Sequence, residues 1–244
     1  MIEAQIPETY LLAMIGFQSS IATKAARVVK AALGRDVVEF GTRRAHSPEA
    51  GVLAGRAAYI GGCVGTSNAE AGFRYKAHVF GTAAHSWVMS FASERAAFEQ
   101  LQKLLGERTT YLIDTYDTIE GAKLAASLGR PLWGVRLDTP VERGRVTADL
   151  VGEVRARLDQ AGFGHVKILV SGGLTPDRIR YFKEHGSLVD SFAVGSYISG
   201  ASPIDFTGDI KEIDGRPIAK RGRIPGLTPS PRLKPVDLAA WRPA

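Results

Sequence analysis

Residues 166–185 read VKILVSGGLTPDRIRYFKEH and contain the unit from which the fold is predicted. The aliphatic run at 166–170 predicts a buried strand, the glycines after it predict a tight turn, and residues 176–185 predict a helix that opens at Thr175-Pro176. A strand, a turn and a helix in this order form the building block of parallel α/β sheets.

The same order recurs along the chain. Strands are predicted at 36–40, 77–80, 110–113, 132–137, 166–170 and 191–194, and helices at 48–59, 94–105, 119–128, 148–161 and 176–185. This alternation indicates an α/β fold with a parallel sheet, either doubly wound or closed into a barrel. Polar residues follow almost every strand, as expected where all carboxyl ends of the strands meet at one mouth. A (β/α) barrel is therefore favoured.

Three segments are predicted from these patterns. Residues 1–34 form a helical lead-in of one or two helices, because apolar residues recur on one helical face. Residues 35–204 form the α/β barrel. Residues 205–244 form a β-hairpin that turns at Asp214-Gly215, followed by a basic, proline-rich arm.

Composition excludes several classes of protein. The chain has 244 residues and is 45% hydrophobic, which excludes a disordered protein. Its single cysteine, Cys63, excludes an internal disulfide framework and favours a reducing compartment, so a cytoplasmic location is expected. No apolar run approaches the roughly 20 residues of a membrane span, and no signal peptide is evident. We expect a soluble protein with no membrane partner.

The net charge of +6 is concentrated near the C-terminus. Between Lys211 and Lys234, seven basic residues accompany two acidic ones. The segment lacks the interleaved aromatic residues that single-strand binders use, so no nucleic-acid partner is expected. A small anionic ligand or a solvated surface explains the charge better.

Two glycine turns follow the last two predicted strands. They contain Ser171, Gly172 and Gly173, and then Gly195 and Ser196. Glycines let backbone N–H groups approach an anion, and barrels frequently bind phosphate after their last two strands. The pair therefore predicts a phosphate site, although either turn alone is equally consistent with a simple tight turn.

Charged and hydroxyl residues follow the earlier strands. The stretches are GTRRAH at 41–46, GTAAHS at 81–86, DTYD at 114–117 and RLD at 136–138. Arginines suit carboxylates and phosphates, and aspartates suit ribose hydroxyls or Mg²⁺. The alternative is ion pairing within the rim, of Arg43 and Arg136 with Asp114 and Asp138. The five histidines show no zinc motif, and His85 alone is also consistent with a capping or core role.

These stretches together resemble the nicotinate phosphoribosyltransferase family. EFGTRRAH, YIGG followed by GTSN, GTAAHSWVM, LIDTYDT, GVRLD, VSGGL and VDSFAVGS occur here in the order that the family shows. The helix ETYLLAMIGFQSSIATKAARVV and the hairpin ending PIAKRG also resemble family segments. The resemblance spans about residues 3–223.

The resemblance implies an irregular α/β barrel of the type II phosphoribosyltransferases. It implies transfer of phosphoribosyl from phosphoribosyl pyrophosphate to nicotinate, with ATP as co-substrate, Mg²⁺ as cofactor and a homodimer or higher homo-oligomer. The roles carried over are phosphorylation of His85, nicotinate contacts from Thr82 and Arg136, and 5-phosphate contacts from Ser171, Gly172, Gly173, Gly195 and Ser196. Arg43 and Asp114 would be functionally required, Asp138 would bind substrate, and Asp114 and Asp138 are the candidate metal ligands.

Two departures from the family pattern are visible in the sequence. The family has a further domain before the first helix, including an aromatic that stacks on nicotinate, so we expect a fragment or a shortened gene product. The family's RLDSGD is here RLDTPV at 136–141, without the second aspartate.

The rival interpretations are a quinolinate phosphoribosyltransferase, with the same fold but without ATP, and an inactive anion-binding barrel. GTRRAH together with GTAAHS favours the nicotinate enzyme over the quinolinate enzyme.

Overall fold

The computed structural model describes residues 2–202 and 204–232. Those residues divide into two compact units, one within residues 14–204 and the other formed by parts of residues 1–13 and 205–244. The first helix is α1 (Ile2–Ala32). Residues 233–244, the end of the predicted basic arm, lie outside the described residues.

The larger unit alternates strands and helices. Its strands are β1 (Asp36–Glu39), β2 (Gly65–Thr66), β3 (Thr110–Leu112), β4 (Gly134–Leu137), β5 (Lys167–Val170) and β6 (Ser191–Val194). After α1, its helices are α2 (Pro48–Ile60), α3 (Ala69–Tyr75), α4 (His85–Met89), α5 (Glu94–Leu105), α6 (Thr118–Ser127), α7 (Ala148–Gln160), α8 (Pro176–Glu184) and α9 (Ser196–Ser199). Short 3-10 turns occupy Thr42–Arg44, Gly106–Arg108 and Val141–Arg143.

The six strands form one sheet in the order β2-β1-β6-β5-β4-β3, and every pairing is parallel. The predicted α/β class with a parallel sheet is therefore confirmed. Because β1 lies beside β6, the first and last strands of the unit are neighbours, as closure of a barrel requires. All strands run the same way, so their carboxyl ends lie on one side of the sheet.

The strand predicted at 77–80 is wrong. Only Val79 of this stretch pairs, in an isolated parallel bridge with Thr66. Its partner strand β2 is two residues long, which limits the ladder to one bridge. The polar stretch GTSN that contains β2 has no β-branched or aromatic run, and this is why the sequence did not predict it.

Side chains alternate between two environments along the strands. One set of alternating strand residues belongs to a buried core that also includes residues of α1, α2, α5, α6, α7 and α8. This set includes Tyr111, Val135, Ile168 and Phe192. The alternate residues Leu112, Arg136 and Ala193 line a cleft instead. A period of two therefore divides each strand between packing against helices and lining the functional cleft.

The smaller unit contains the predicted C-terminal hairpin. Strands β7 (Glu212–Ile213) and β8 (Arg216–Pro217) are antiparallel, and Asp214 and Gly215 turn with φ of 50° and 74°. Two left-handed residues in succession are typical of the type I′ turn that Asp-Gly favours. Asp209 pairs with Lys220 (2.6 Å) and Arg223 (2.7 Å), and these bonds lower the pKa of the Asp209 carboxyl.

No helix among residues 2–202 and 204–232 is both long enough and apolar enough to cross a membrane.

Gly121→Ala tests the packing of α6 on the end of β3. A methyl group at Gly121 would overlap the carbonyl oxygen of Ile113, which is fixed backbone. Alanine normally stabilises a helix over glycine by about 1 kcal/mol, but overpacking costs about 1–3 kcal/mol. We expect a net loss in the free energy of unfolding, measured by denaturant titration.

Gly152→Ala is the matched control. Gly152 lies within α7, and a methyl group there would meet no atom within 4 Å. We expect it to raise the free energy of unfolding by about 0.5–1 kcal/mol. Equal effects of the two substitutions would contradict the close approach of α6 to β3.

Candidate active site

A cleft of about 890 Å³ opens at the carboxyl ends of the strands. This volume is within the range of small-molecule sites. The cleft brings together ten of the predicted site residues: Arg43, Thr82, His85, Arg136, Asp138, Ser171, Gly172, Gly173, Gly195 and Ser196. The eleventh, Asp114, does not line the cleft, and its side chain is only 1% exposed.

Arg136 is the most connected side chain in the cleft. Its Nε donates to Ser171 Oγ (2.9 Å), its Nη1 to Thr82 Oγ1 (2.9 Å) and its Nη2 to Asp138 Oδ2 (2.9 Å). A longer contact joins Nη1 to the carbonyl oxygen of Ala83 (3.4 Å). Burial lowers the pKa of Arg136 from its usual value, and the nearby Asp138 charge opposes this shift. The predicted rim ion pair thus forms between Arg136 and Asp138.

Arg43 is different, because it is exposed and forms no salt bridge with a described carboxylate. It belongs to the 3-10 turn Thr42–Arg44 that follows β1. Asn68 holds this turn by donating to Thr42 Oγ1 (3.2 Å) and also caps α3. Arg44 lies beside Arg43 at the cleft. Both guanidinium groups therefore contribute positive potential that no described ion pair neutralises.

His85 lies close to both predicted aspartates. Its Nδ1 is 3.1 Å from Thr115 Oγ1, and its Nε2 is 3.9 Å from Asp114 Oδ1 and from Asp138 Oδ2. Asp114 Oδ2 accepts from the backbone N–H of Asp138 (2.6 Å) and from Thr139 Oγ1 (2.9 Å). Asp114 Oδ1 is buried and has no hydrogen-bond partner among the described residues. The structure therefore places one imidazole nitrogen between two carboxyl groups.

Glu94, at the start of α5, is an acidic residue near the site that the sequence analysis did not identify. Burial, followed by the negative charges of Asp114 and Asp117, raises the pKa of Glu94 to about 7. Its Oε1 is buried without a partner among the described residues. No sequence motif marks Glu94, because its position follows from how α5 packs beside the end of β3.

The predicted phosphate turns both lie at the cleft. Gly172 and Gly173 have φ of 88° and 61°, a region that glycine adopts without steric cost. The backbone N–H groups of Gly172, Gly173 and Ser196 donate to no described residue. The backbone N–H of Ser171 donates to Leu137 O (2.8 Å). The Ser171 hydroxyl accepts from Arg136 and donates to Asp138. Free N–H groups for an anion are therefore provided by the glycines and Ser196 rather than by Ser171.

Glu39 is a second residue that the sequence analysis missed. It is fully buried at the end of β1. Its carboxyl group accepts hydrogen bonds from the Gly41 N–H, from Ser199 Oγ (2.6 Å) and from Thr66 Oγ1 (2.6 Å). It thereby joins the loop of Arg43, the end of β2 and the helix that begins at Ser196. The available sequence signal was a charged residue within the otherwise apolar run VVEF.

No group of three metal-ligating side chains occurs among residues 2–202 and 204–232. Asp114 and Asp138 each place a carboxylate oxygen 3.9 Å from His85 Nε2. Mg²⁺ at phosphate-transfer sites typically uses one or two carboxylates together with substrate phosphates and water. The buried, unpartnered Asp114 Oδ1 fits that mode of binding.

Residues 21–209 match the family model described as quinolinate phosphoribosyl transferase, C-terminal domain. The chain belongs to this family. Nicotinate phosphoribosyltransferase pncB2 of Mycobacterium tuberculosis is 42% identical over 88% of this chain and 47% of its own length. The nicotinate phosphoribosyltransferase of Bacillus subtilis is 38% identical over 80% of this chain and 40% of its own. The resemblance derived from the sequence is confirmed, and this chain spans about half the length of these relatives.

Solved structures show the same fold. A nicotinate-nucleotide pyrophosphorylase from Pyrococcus furiosus superposes with a TM-score of 0.82 and 38% identity, over 90% of this chain and 57% of that chain. Human nicotinic acid phosphoribosyltransferase superposes with a TM-score of 0.66 and 26% identity, over 79% and 50% of the two chains. The predicted barrel of the type II phosphoribosyltransferases is therefore confirmed.

Replacement of Glu39 tests the junction beneath the cleft. Glu39→Ala leaves three buried donors without their acceptor, and each unsatisfied group costs about 1–3 kcal/mol. We expect a loss of more than about 3 kcal/mol in the free energy of unfolding. Glu39→Gln should cost less, because an amide oxygen still accepts and the Thr66 hydroxyl can rotate to accept from the amide nitrogen. Denaturant unfolding measures both, and equal losses would contradict this account.

The raised pKa of Glu94 predicts a pH-dependent stability. The folded state holds this proton up to about pH 7, whereas the ordinary pKa is 4.5. The stabilisation that goes with protonation is fully present below pH 4.5 and is lost as pH rises through about 7. Glu94→Gln should therefore gain in Tm relative to the original chain between pH 5 and pH 8. Glu99→Gln, an exposed change on the same helix, is the control, and parallel profiles for Glu94→Gln and the original chain would contradict the prediction.

Proposed function

We propose that this chain forms the catalytic barrel of a nicotinate phosphoribosyltransferase. It would convert nicotinate and phosphoribosyl pyrophosphate into nicotinate mononucleotide and pyrophosphate, a step in the biosynthesis of NAD. The observation that carries the proposal is that one cleft contains Arg136, whose side chain is 13% exposed, and two glycine turns with N–H groups that donate to no described residue. Arg136 would bind a carboxylate and the glycine turns would bind a phosphate, so both kinds of ligand could occupy the same cleft.

Nicotinate binding is assigned to Arg136, Thr82 and Phe40. Arg136 forms four hydrogen bonds within the protein, and these occupy at most four of its five N–H groups. At least one N–H group therefore remains for a substrate carboxylate. Its guanidinium carbon lies 5.5 Å from the centre of the Phe40 ring, and Phe40 offers an apolar surface at the cleft. The 5-phosphate is assigned to the N–H groups of Gly172, Gly173 and Ser196, with Gly195 and Ser171 shaping the turns.

The proposed chemistry joins the ring nitrogen to C1 of the ribose. The C1–N bond forms while the C1–O bond to pyrophosphate breaks, and pyrophosphate leaves with the bonding electrons. Positive charge develops on the ribose during this exchange, so carboxylates such as Asp114 and Asp138 would stabilise the transition state. Arg43 and Arg44 would bind the departing pyrophosphate. Mg²⁺, carried by the phosphates and held by Asp114 and Asp138, would neutralise part of its charge.

His85 is proposed as the acceptor of a phosphoryl group from ATP. With its proton on Nδ1 and donated to Thr115, the imidazole presents the Nε2 lone pair towards the two aspartates. The Nε2–phosphorus bond would form as ADP leaves, and water would later release phosphate. We propose that this cycle favours loop closure over the substrates. A homodimer or higher homo-oligomer is part of the same proposal.

A quinolinate phosphoribosyltransferase is the second candidate. The family description names quinolinate, and the Pyrococcus furiosus relative is named a nicotinate-nucleotide pyrophosphorylase. Quinolinate carries two carboxylates, so it would require a second cation beside Arg136. Arg43, Arg44 and Arg145 line the cleft, and their side chains form no salt bridge with a described residue, so a second carboxylate could be bound there. The choice between the two substrates is therefore open to direct test.

The test is product formation by the purified chain with phosphoribosyl pyrophosphate and Mg²⁺. Nicotinate and quinolinate are supplied in separate reactions, each with and without ATP, and nicotinate mononucleotide is quantified. We expect product from nicotinate, raised by ATP, with the ATP effect lost in His85→Ala. His185→Ala, an exposed histidine at the end of α8, should retain it.

Each other result selects an alternative. Product from quinolinate alone would favour the second candidate, and stimulation by ATP that persists in His85→Ala would contradict the role of His85. A folded chain that forms no product from either substrate would indicate an anion-binding barrel without turnover.

A further inference from the structure

Arg145 is a cleft residue to which neither the motifs nor the proposed mechanism assign a role. It follows the 3-10 turn Val141–Arg143 in the loop between β4 and α7, and it lines the same cleft as the two glycine turns. This is the loop in which the chain departs from the family's RLDSGD pattern. The loop that lacks the motif's second aspartate therefore supplies a cation to the cleft.

The backbone of Arg145 is held in an uncommon conformation. Its φ is 64°, in the left-handed region that residues other than glycine seldom adopt. Its N–H donates to Pro140 O (3.0 Å), and the next residue, Val146, is buried. The loop thus fixes the direction of the Arg145 side chain from both sides, and such conformations are frequent where a side chain is aimed at a ligand.

The guanidinium of Arg145 lies against Gly173. A methyl group added to Gly173 would overlap Arg145 Nη1, and its next nearest contact would be Arg145 Cζ at 3.2 Å. The absence of a side chain at Gly173 therefore lets the cation reach the turn. Gly173 is also one of the residues whose N–H donates to no described residue.

The charge of Arg145 is uncommitted among the described residues. Arg136 is paired with Asp138, and Arg143 donates to Tyr116 O (3.1 Å), but the side chain of Arg145 makes no hydrogen bond or salt bridge with a described residue. A guanidinium that lies beside a turn with unpaired N–H groups favours binding of a dianion more than the guanidinium or the turn does alone.

We propose that Arg145 binds the phosphate monoester of the ribosyl substrate and product at the Gly172-Gly173 turn. The inference rests on the proposed function and adds a residue to its phosphate site. The guanidinium would supply the positive charge that backbone N–H groups lack, and would distinguish a 5-phosphorylated ribose from an unphosphorylated one.

The experiment compares two ligands that differ only in the 5-phosphate. Nicotinate mononucleotide and nicotinate riboside are titrated by calorimetry into the purified chain and into Arg145→Gln. We expect the substitution to weaken binding of the mononucleotide about ten- to a hundredfold, as for loss of a hydrogen bond to a charged group. Binding of the riboside should be unchanged.

Arg143→Gln is the matched control, because this arginine lies two residues away in the same loop, is exposed and does not line the cleft. It should retain the preference for the mononucleotide. Arg145→Lys, which keeps the charge without the planar fork, should give an intermediate preference and serves if Arg145→Gln does not fold. The inference would be overturned if Arg145→Gln or Arg145→Lys kept the full preference for the mononucleotide over the riboside.

Ribose 5-phosphate and ribose separate this inference from the proposed function. If the chain binds neither nicotinate compound, the proposed function fails. Loss of ribose 5-phosphate binding in Arg145→Gln would then still support the phosphate role. Equal binding of ribose 5-phosphate by the chain and the variant, or none by the chain itself, would contradict it.

Discussion

The candidate site depends on the hydrogen bonds of the largely buried guanidinium of Arg136. This side chain projects from β4 and contacts Thr82 before α4, Asp138 after β4 and Ser171 after β5. Each of these segments carries other residues of the cleft. Removing a charge from water is costly unless hydrogen bonds and a counter-charge surround it, so the site is built to satisfy this one group. Its position also requires Val135 and Leu137 to face the helices, because neighbours on a strand point to opposite sides.

Glu39 likewise connects separate segments, but around β1 and β2, at the opposite end of the strand order from β3 and β4. Its buried carboxyl group connects the ends of β1 and β2 to α9, and so relates the arginine turn Thr42–Arg44 to the turn that begins at Gly195. Arg136 and Glu39 together connect segments at the ends of β1, β2, β4, β5 and β6 and the segment after the Val79 bridge. Arg43, Arg44 and Arg145 line the cleft without a salt bridge to a described residue, and their charges make the cleft suited to anionic ligands.

Much of this arrangement was predictable from the sequence. Five predicted strands correspond to observed ones, and the glycine turns at 171–173 and 195–196 lie at the cleft as expected. The errors have local causes. The strand β2 has no apolar run, and residues 77–80 look like a strand but have only a two-residue partner. Glu94, Glu39 and Arg145 belong to no pattern of spacing, because each acquires its neighbours from a different part of the chain.

The sequence by itself determined the alternation of strands and helices, the hairpin at Asp214-Gly215 and the residue types at the ends of the strands. These follow from periodicity and turn chemistry, which act over a few residues. Only the tertiary structure decided that β1 lies beside β6, that Ser171 is bonded within the protein while the glycine N–H groups are free, and that Arg145 lies against Gly173. Those facts depend on contacts between residues distant in the chain, and local sequence preferences do not specify them.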